Sequence, residues 1–315
     1  MKLANAIETY IEFQKSMGLK SPTARRTLRQ YARTMGDVDT DTPVPDQVLS
    51  FLQGTGPVTS TWRVKFRLLS GFYRYAISRG YASSSPLPAM LPKFPPQQTP
   101  YIYSTQEIER LLEATSVLDS RYSRLQAPMF STLIKLLYGS AMRVSEALSL
   151  TLRDVDLVEG VITVRDTKFH KSRFVPIGPR LRNELIGLAD RRRRLPMPSG
   201  EDSLFFASRT GSAWPYQRII TLFQRVRSAA NISIPVGELR PPRLHDLRHT
   251  AAMHRVIVWY QSGQDVQRLL PQLATYLGHL DIRSTQRYLQ ATPALLELAC
   301  QRFADYASTG DSNGE

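Results

Sequence analysis

Cysteine is nearly absent from this sequence, long apolar runs are missing, and acidic side chains are outnumbered. The single cysteine, Cys300, cannot form an internal disulfide or a thiolate metal site, which favours a reducing compartment. No apolar run reaches the ~20 residues that span a bilayer, and the N-terminal residues lack the apolar segment of a signal peptide. We therefore expect a soluble, cytoplasmic protein without a membrane partner.

The shortage of acid leaves a large positive charge. The 315 residues contain 41 Lys and Arg against 27 Asp and Glu, a net charge of +14, and residues 1–95 carry about half of it. Such a charge attracts polyanions, of which nucleic acid is the commonest and an anionic membrane surface the second. The hydrophobic content of 42% is that of a globular protein with a proper core.

Proline divides the chain. Six of the 21 prolines lie within residues 83–100, and a helix cannot cross such a stretch. We predict a helical domain at 1–85, a Pro-rich linker at 86–103, and a second domain at 104–315 that ends in a tail helix. The expected fold class is mainly α with a small antiparallel β-sheet, in two domains.

Two helices of the first domain carry arginines on one side. One is predicted from the N-cap Ser21 to the stop at Gly36, and the other over roughly Ser60–Ser78. Two such helices suit contact with phosphates, although a solvated surface face is the alternative. The candidate DNA-binding residues are Arg25, Arg29 and Arg33 on the first helix and Arg63, Arg67 and Arg74 on the second.

The second domain is predicted to begin with a capping box at Ser104 and Glu107. An apolar helix that ends at Gly139 follows, then a β-hairpin over residues 160–178, in which Phe174 and Val175 form the second strand, and then helices from Pro179 onward. A last amphipathic helix at 292–307 could dock on another protomer or pack on its own domain.

Two arginines of this domain are candidates for an anion clamp. Arg143 lies between two helices, and Arg248 follows His245 by three residues on one helix face. Together they could grip a tetrahedral anion, because each guanidinium fork matches two phosphate oxygens. A structural salt bridge is the alternative for each; Glu146 could orient Arg143 or be an exposed helix acid. The run 191–194 of four arginines is a solvated helix end or a contact with the DNA backbone.

The order of these residues resembles the tyrosine recombinase (phage integrase) family over most of residues 104–305. The resemblance is carried by Arg143, Lys168 on the hairpin, His245-x-x-Arg248, Leu277-Gly278-His279 and Tyr288. In length the chain is similar to two-domain Xer-type members, and its C-terminal stretch looks like that of mobile-element integrases. The first domain resembles the family's core-binding domain in size and helical character.

The resemblance implies a nucleophile and a phosphate clamp. Tyr288 would attack a DNA phosphodiester, giving a 3′-phosphotyrosyl link and a free 5′-hydroxyl. Arg143 and Arg248 would hold the non-bridging oxygens and offset the charge of the transition state.

It also implies the proton transfers and the partners. His245 and His279 would donate to the phosphate or move the phenolic proton, and Lys168 would protonate the departing 5′-oxygen. Thr167 and Phe169 replace the glycines of the family's usual turn, so Lys171 competes with Lys168 for this role. The resemblance implies no metal and no nucleotide cofactor, and double-stranded DNA bound by a homotetramer or a mixed tetramer.

Other functions fit the sequence less well. Asp154 and Asp156 lack the third acid of a metal-dependent nuclease, and the His245–His249 pair lacks the Glu and third ligand of a zinc helix. A type IB topoisomerase would use nearly the same residues without strand exchange. A non-catalytic DNA-binding regulator would keep the basic helices but has no reason to combine Tyr288 with both arginines.

Overall fold

The computed structural model divides into two compact units, Met1–Gln98 and Thr99–Glu315. It describes residues 1–19, 21–94, 99–119, 125–165, 172–234 and 240–278, together with Glu297 and Cys300. Within these residues, every helix is too short or too polar to cross a membrane.

The described part of the first unit contains four helices. They are α1 (Leu3–Ser16), α2 (Pro22–Met35), α3 (Pro45–Gln53) and α4 (Ser60–Ser78). Ser21 caps α2 by accepting a hydrogen bond from the backbone of Ala24, and Gly36 follows its last residue with a positive φ of 82°. The predicted bounds of α2 and α4 are therefore confirmed.

Aromatic side chains fill the core of this unit. Tyr31 of α2 and Tyr73 of α4 are fully buried, and their hydroxyls lie 2.6 Å apart in a hydrogen bond. A buried hydroxyl needs such a partner, because an unpaired one would lose its hydrogen bonds to water without replacement. The pair thus fixes α2 against α4.

The second unit is also mainly helical and contains a small sheet. The described helices are α5 (Thr105–Glu113), α6 (Gln126–Ser140), α7 (Val144–Ser149), α8 (Pro179–Arg193), α9 (Tyr216–Ala229), α10 (Asp246–Gln261) and α11 (Val266–Leu277), with 3-10 turns at Ala114–Leu118 and Leu152–Asp154. The capping box at the start of α5 is confirmed: Ser104 accepts from the backbone of Glu107, whose side chain accepts from the backbone of Ser104.

The sheet has three described antiparallel strands in the order β1–β2–β3. They are β1 (Val155–Asp156), β2 (Val161–Val164) and β3 (Arg173–Pro176). Ile162 pairs with Val175 and Val164 pairs with Arg173, so β2 and β3 form the predicted hairpin. The buried face holds Ile162, Val164 and Val175. Phe174 points the other way and is 74% exposed, because successive residues of a strand alternate between faces.

Helix α6 runs one residue beyond the predicted end. Gly139 lies inside the helix, where an added Cβ would come within 3.1 Å of Leu181, so this glycine permits close packing against α8. The helix ends at Ser140, and Ala141 takes a left-handed conformation with φ 51°. The prediction that Gly139 ends the helix is therefore wrong, since the reversal falls on an alanine two residues later.

Candidate active site

Arg143 is the N-cap residue of α7 and lies at the centre of a polar cluster. Its backbone N–H donates to Glu146 Oε2 at 3.0 Å, and its Nη1 donates to Glu146 Oε1 at 2.6 Å. Its Nη2 donates to the carbonyl oxygen of Gly278 at 3.3 Å. The side chain keeps 36% of its surface exposed. Arg143 is therefore held from two sides while it still faces solvent.

Arg248 of α10 is 2% exposed and joins two separate segments. Its Nη1 donates to the carbonyl oxygen of Ala141 at 2.7 Å, and its Nη2 donates to that of Leu277 at 2.6 Å. Arg143 and Arg248 thus donate to the adjacent carbonyls of Gly278 and Leu277. The two arginines of the predicted clamp converge on the end of α11, directly before His279.

His245 is the N-cap residue of α10, beside this pair of arginines. Burial lowers the pKa of its imidazole, and the positive charges of Arg248, Arg243 and Arg143 lower it further, against the opposing effect of Asp246. These effects favour the neutral form of the imidazole. A neutral imidazole can accept a proton at one nitrogen and donate one from the other.

Glu146 of α7 carries the negative charge of the cluster. Its oxygens accept from Arg143 and also from Arg173 of β3, whose Nη1 lies 3.1 Å from Oε1 and whose Nη2 lies 2.7 Å from Oε2. Burial alone would raise the pKa of this carboxyl, but the hydrogen bonds and charges of the two arginines lower it to about 2. Glu146 is only 9% exposed, so of the two roles considered for it the exposed helix acid is wrong.

Gly278 ends α11 in a left-handed conformation with φ 67°. An added Cβ there would lie 3.0 Å from Nη1 of Arg173. Glycine meets both requirements, because it adopts positive φ without strain and leaves room for the guanidinium. Arg143, Arg173 and Arg248 all lie at this one turn.

Three of the predicted catalytic residues fall outside the described residues: Lys168, His279 and Tyr288. The strands that flank the hairpin turn end at Val164 and begin at Arg173, and Gly278 directly precedes His279. Most of the predicted tail helix also lies outside them; Glu297 and Cys300 within it are helical and exposed.

Arg173 was missed by the reasoning from sequence, which gave it no role. The available signal was its position two residues before Val175, on the inward face of a strand. A basic residue on that face must find an acidic or polar partner inside the protein. Glu146 is that partner.

The six arginines predicted to bind DNA lie on α2 and α4, and two of them have clear partners within the protein. Arg29 forms a bidentate ion pair with Glu8 of α1 at 2.7 and 2.8 Å. The guanidinium of Arg63 lies over the ring of Phe94, 4.0 Å from its centroid. Arg33, Arg67 and Arg74 are exposed and Arg25 is partly buried.

The run of four arginines at the end of α8 is not uniformly solvated. Arg192 is 6% exposed and donates from Nη2 to the carbonyl oxygen of Pro198 at 2.9 Å. Arg193 is exposed and pairs with Asp190. The interpretation as a solvated helix end is therefore wrong for Arg192.

The carboxylates considered for a metal nuclease have structural partners. Asp154 accepts from Thr151 and Arg165, and Asp156 accepts from the backbone of Val158 and Glu159. In the part of the chain that the structure describes, no group of three or more His, Cys, Asp or Glu side chains is arranged to hold a metal ion.

Comparison with known proteins supports the resemblance. Residues 103–294 match the Phage integrase family. A putative integrase/recombinase of Sinorhizobium fredii is 32% identical over 95% of this chain and 96% of its own length. Tyrosine recombinase XerC of Oceanobacillus iheyensis is 30% identical over 72% of this chain and 69% of its own length.

The fold is also found in solved structures. The Tn1549 transposon integrase in complex with transposon right end DNA superposes with a TM-score of 0.69 at 18% identity, over 96% of this chain and 100% of that one. The sequence matches favour a recombinase over a topoisomerase or a regulator. The chain belongs to the phage integrase family and is a tyrosine recombinase, an enzyme of site-specific DNA recombination.

Proposed function

We propose that this recombinase cleaves DNA by attack of Tyr288 on a phosphodiester bound by Arg143 and Arg248, and that it needs neither metal nor nucleotide. The observation that best supports this is the convergence of the two guanidiniums on the carbonyls of Leu277 and Gly278. Two residues far apart in the sequence thus bring their positive charges to the carbonyls of Leu277 and Gly278, the two residues that precede His279 in the sequence. A phosphodiester is the anion that this family's chemistry brings there.

The phosphate binds through charge-assisted hydrogen bonds. Arg143, the more exposed of the two, holds one non-bridging oxygen, and Arg248 holds the other in the DNA-bound protein. A phosphate oxyanion is a stronger acceptor than the carbonyl oxygens that these guanidiniums contact in the free protein. Their charge offsets the charge that develops as phosphorus becomes five-coordinate.

The proton transfers balance over the two steps. The phenolic oxygen of Tyr288 bonds to phosphorus, its proton passes to a neutral imidazole, His245 or His279, and Lys168 gives a proton to the departing 5′-oxygen. The lowered pKa of His245, caused by burial and by Arg248, keeps its ring able to accept that proton. A 5′-hydroxyl of a partner duplex then attacks the phosphotyrosine and loses its proton to the now neutral Lys168. The bond between phosphorus and the Tyr288 oxygen breaks, the phenolate recovers its proton from the imidazolium, and the strand is rejoined with its bond energy conserved.

Reciprocal exchange joins two duplexes and cuts four strands, which calls for four active sites. We therefore propose a tetramer on DNA, formed by this chain alone or with a sister recombinase. The basic helices α2 and α4 contribute contacts with the DNA backbone. The similarity to a putative integrase and to the fold of a transposon integrase supports a role in the movement of a mobile element.

The test traps the covalent intermediate. Footprinting first maps the protein's binding site, and a duplex of that sequence is nicked so that the cleaved end diffuses away. With EDTA present, the wild type and the control Tyr216→Phe, which changes an exposed tyrosine at the start of α9, should both form a protein–DNA adduct. Tyr288→Phe should form none.

Two results would overturn the proposal. An adduct that persists in Tyr288→Phe would show that another group is the nucleophile. Cleavage that is absent in EDTA and returns with magnesium would show that the reaction depends on a metal.

A further inference from the structure

We propose that Arg173 is a positioning residue for DNA cleavage, which occupies Glu146 so that the charge of Arg143 remains available to the phosphate. This inference rests on the proposed function and concerns a residue to which neither the sequence motifs nor the family resemblance gives a role. Arg173 acts through Glu146, because both of its Nη atoms are bonded to that carboxylate and only 13% of its side chain is exposed.

The argument begins with the charges of the cluster. Glu146 carries one negative charge and contacts two guanidiniums, so the three side chains together have a net charge of +1. Arg173 bonds to both carboxylate oxygens, whereas the side chain of Arg143 bonds to one. Without Arg173, Glu146 would pair with Arg143 alone. The pair would then be neutral, and its attraction for a phosphate would be largely lost.

The second step concerns what Arg173 contacts besides Glu146. Its Nη1 lies where a side chain at residue 278 would stand, so it packs directly against the turn that precedes His279. Within the described part of the chain, its buried Nε has no hydrogen-bond partner. Burial of a polar atom without a partner costs free energy. The charged side chain of Arg173 thus lies in the protein although its Nε has no partner among the described residues.

The third step concerns the hairpin. Arg173 is the first residue of β3 and pairs with Val164, the last residue of β2. This pair closes the segment that contains Lys168. Arg173 therefore connects the base of the hairpin that carries the proposed general acid to the arginine that binds the phosphate.

The experiment measures the single-turnover rate of the Tyr288-dependent adduct at saturating DNA, together with DNA affinity and the free energy of unfolding. Arg173→Met should slow the adduct roughly 100-fold, a loss similar to that of one transition-state hydrogen-bond donor. Arg173→Lys keeps the charge without the bidentate fork, so its rate should fall between that of the wild type and that of Arg173→Met. The affinity for DNA should change by less than about threefold, since other contacts dominate binding.

The distinguishing result comes from the double variant Arg173→Met with Glu146→Gln. Removal of the carboxylate charge frees Arg143 again, so we expect the double variant to cleave at least about tenfold faster than Arg173→Met. A purely structural role predicts the opposite, because a second buried partner is lost. The matched control is the Arg165–Asp154 ion pair at the end of the same hairpin, which does not contact Arg143. There, adding Asp154→Asn to Arg165→Met should not raise the rate.

Three outcomes would overturn the inference. One is a wild-type rate for Arg173→Met. Another is a double variant that is folded and cleaves no faster than Arg173→Met. If Arg173→Met does not fold, the inference is overturned by a double variant, or by Arg173→Lys, that folds yet cleaves more than about 1000-fold more slowly than the wild type. If the wild type itself forms no adduct, the proposed function fails and this inference fails with it.

Discussion

Ala141 shows how much the geometry of the site depends on one residue. Within the described part of the chain, only Ala141 and Asn231 are non-glycine residues with positive φ. The left-handed turn at Ala141 lets its carbonyl oxygen accept from Arg248 and leads the chain directly into Arg143 and α7. Alanine pays a conformational cost for this turn that glycine would not. The turn places the carbonyl oxygen of Ala141 where Arg248 donates to it.

The ion pairs of Glu146 should make stability depend on acid pH. Its pKa is about 2 in the folded protein against an ordinary value of 4.5, so its contribution is complete above pH 4.5 and is lost as the pH falls toward 2. Complete loss would amount to roughly 3 kcal/mol. In urea unfolding between pH 5 and 3, Glu146→Gln should show a shallower decline than the wild type.

The control for this measurement is Glu8→Gln. The hydrogen bond from Arg29 lowers the pKa of Glu8 as well, but this pair is exposed to solvent and contributes less. A wild-type pH dependence in Glu146→Gln would show that the buried carboxylate does not carry the linkage.

At the scale of elements, the signals with a local cause were the reliable ones. Caps at Ser21 and Ser104 fixed the starts of α2 and α5, because each bond is made within four residues. The strand β1 has two residues, too few to show any alternation, so the sequence alone leaves a strand and a turn as alternatives for this stretch. The end of α6 was predicted wrongly because Gly139 makes room for the side chain of Leu181 and does not end the helix. No local sequence pattern reveals that contact.

The capping box of α5 gives a prediction at this scale. Ser104→Ala should destabilise the protein by about 1 kcal/mol, since the backbone N–H of Glu107 loses its acceptor. Ser228→Ala, in the exposed last turn of α9, is the control and should change the free energy of unfolding by less than about 0.5 kcal/mol. Equal effects in the two variants, measured by chemical denaturation, would show that the cap contributes nothing.

At the scale of the whole molecule, the net charge of +14 should dominate the affinity for DNA. Each phosphate contact adds about 0.9 to the slope of log affinity against log salt concentration. Arg67→Gln combined with Arg74→Gln removes two exposed arginines of α4 and should lower that slope by about 2. Filter binding between 50 and 200 mM salt measures it.

The matched control is Arg29→Gln. Its guanidinium is held by Glu8, so its loss should change the slope by less than the loss of one exposed arginine. A slope that is unchanged in the α4 double variant would show that α4 does not contact the backbone of the DNA.

The whole molecule also shows where inference from sequence stops. The predicted fold class is confirmed. It could be predicted because composition, helix caps and strand alternation can be read from the sequence without knowledge of distant contacts. The approach of Arg143 to Arg248 was expected from the family's order of residues. The place of Arg173 was not, since it depends on a strand register and on a turn more than 100 residues later in the sequence.

The way the arginine site is put together bears on protein synthesis. The buried core of the first unit is complete by Ala82, so this part can fold on the ribosome while the rest is still being made. The arginine site needs Ala141, Arg173, Arg248 and the turn at Gly278, and the last of these emerges late. A chain that stops before residue 278 therefore contains the core residues of the first unit but lacks the turn on which Arg143 and Arg248 converge.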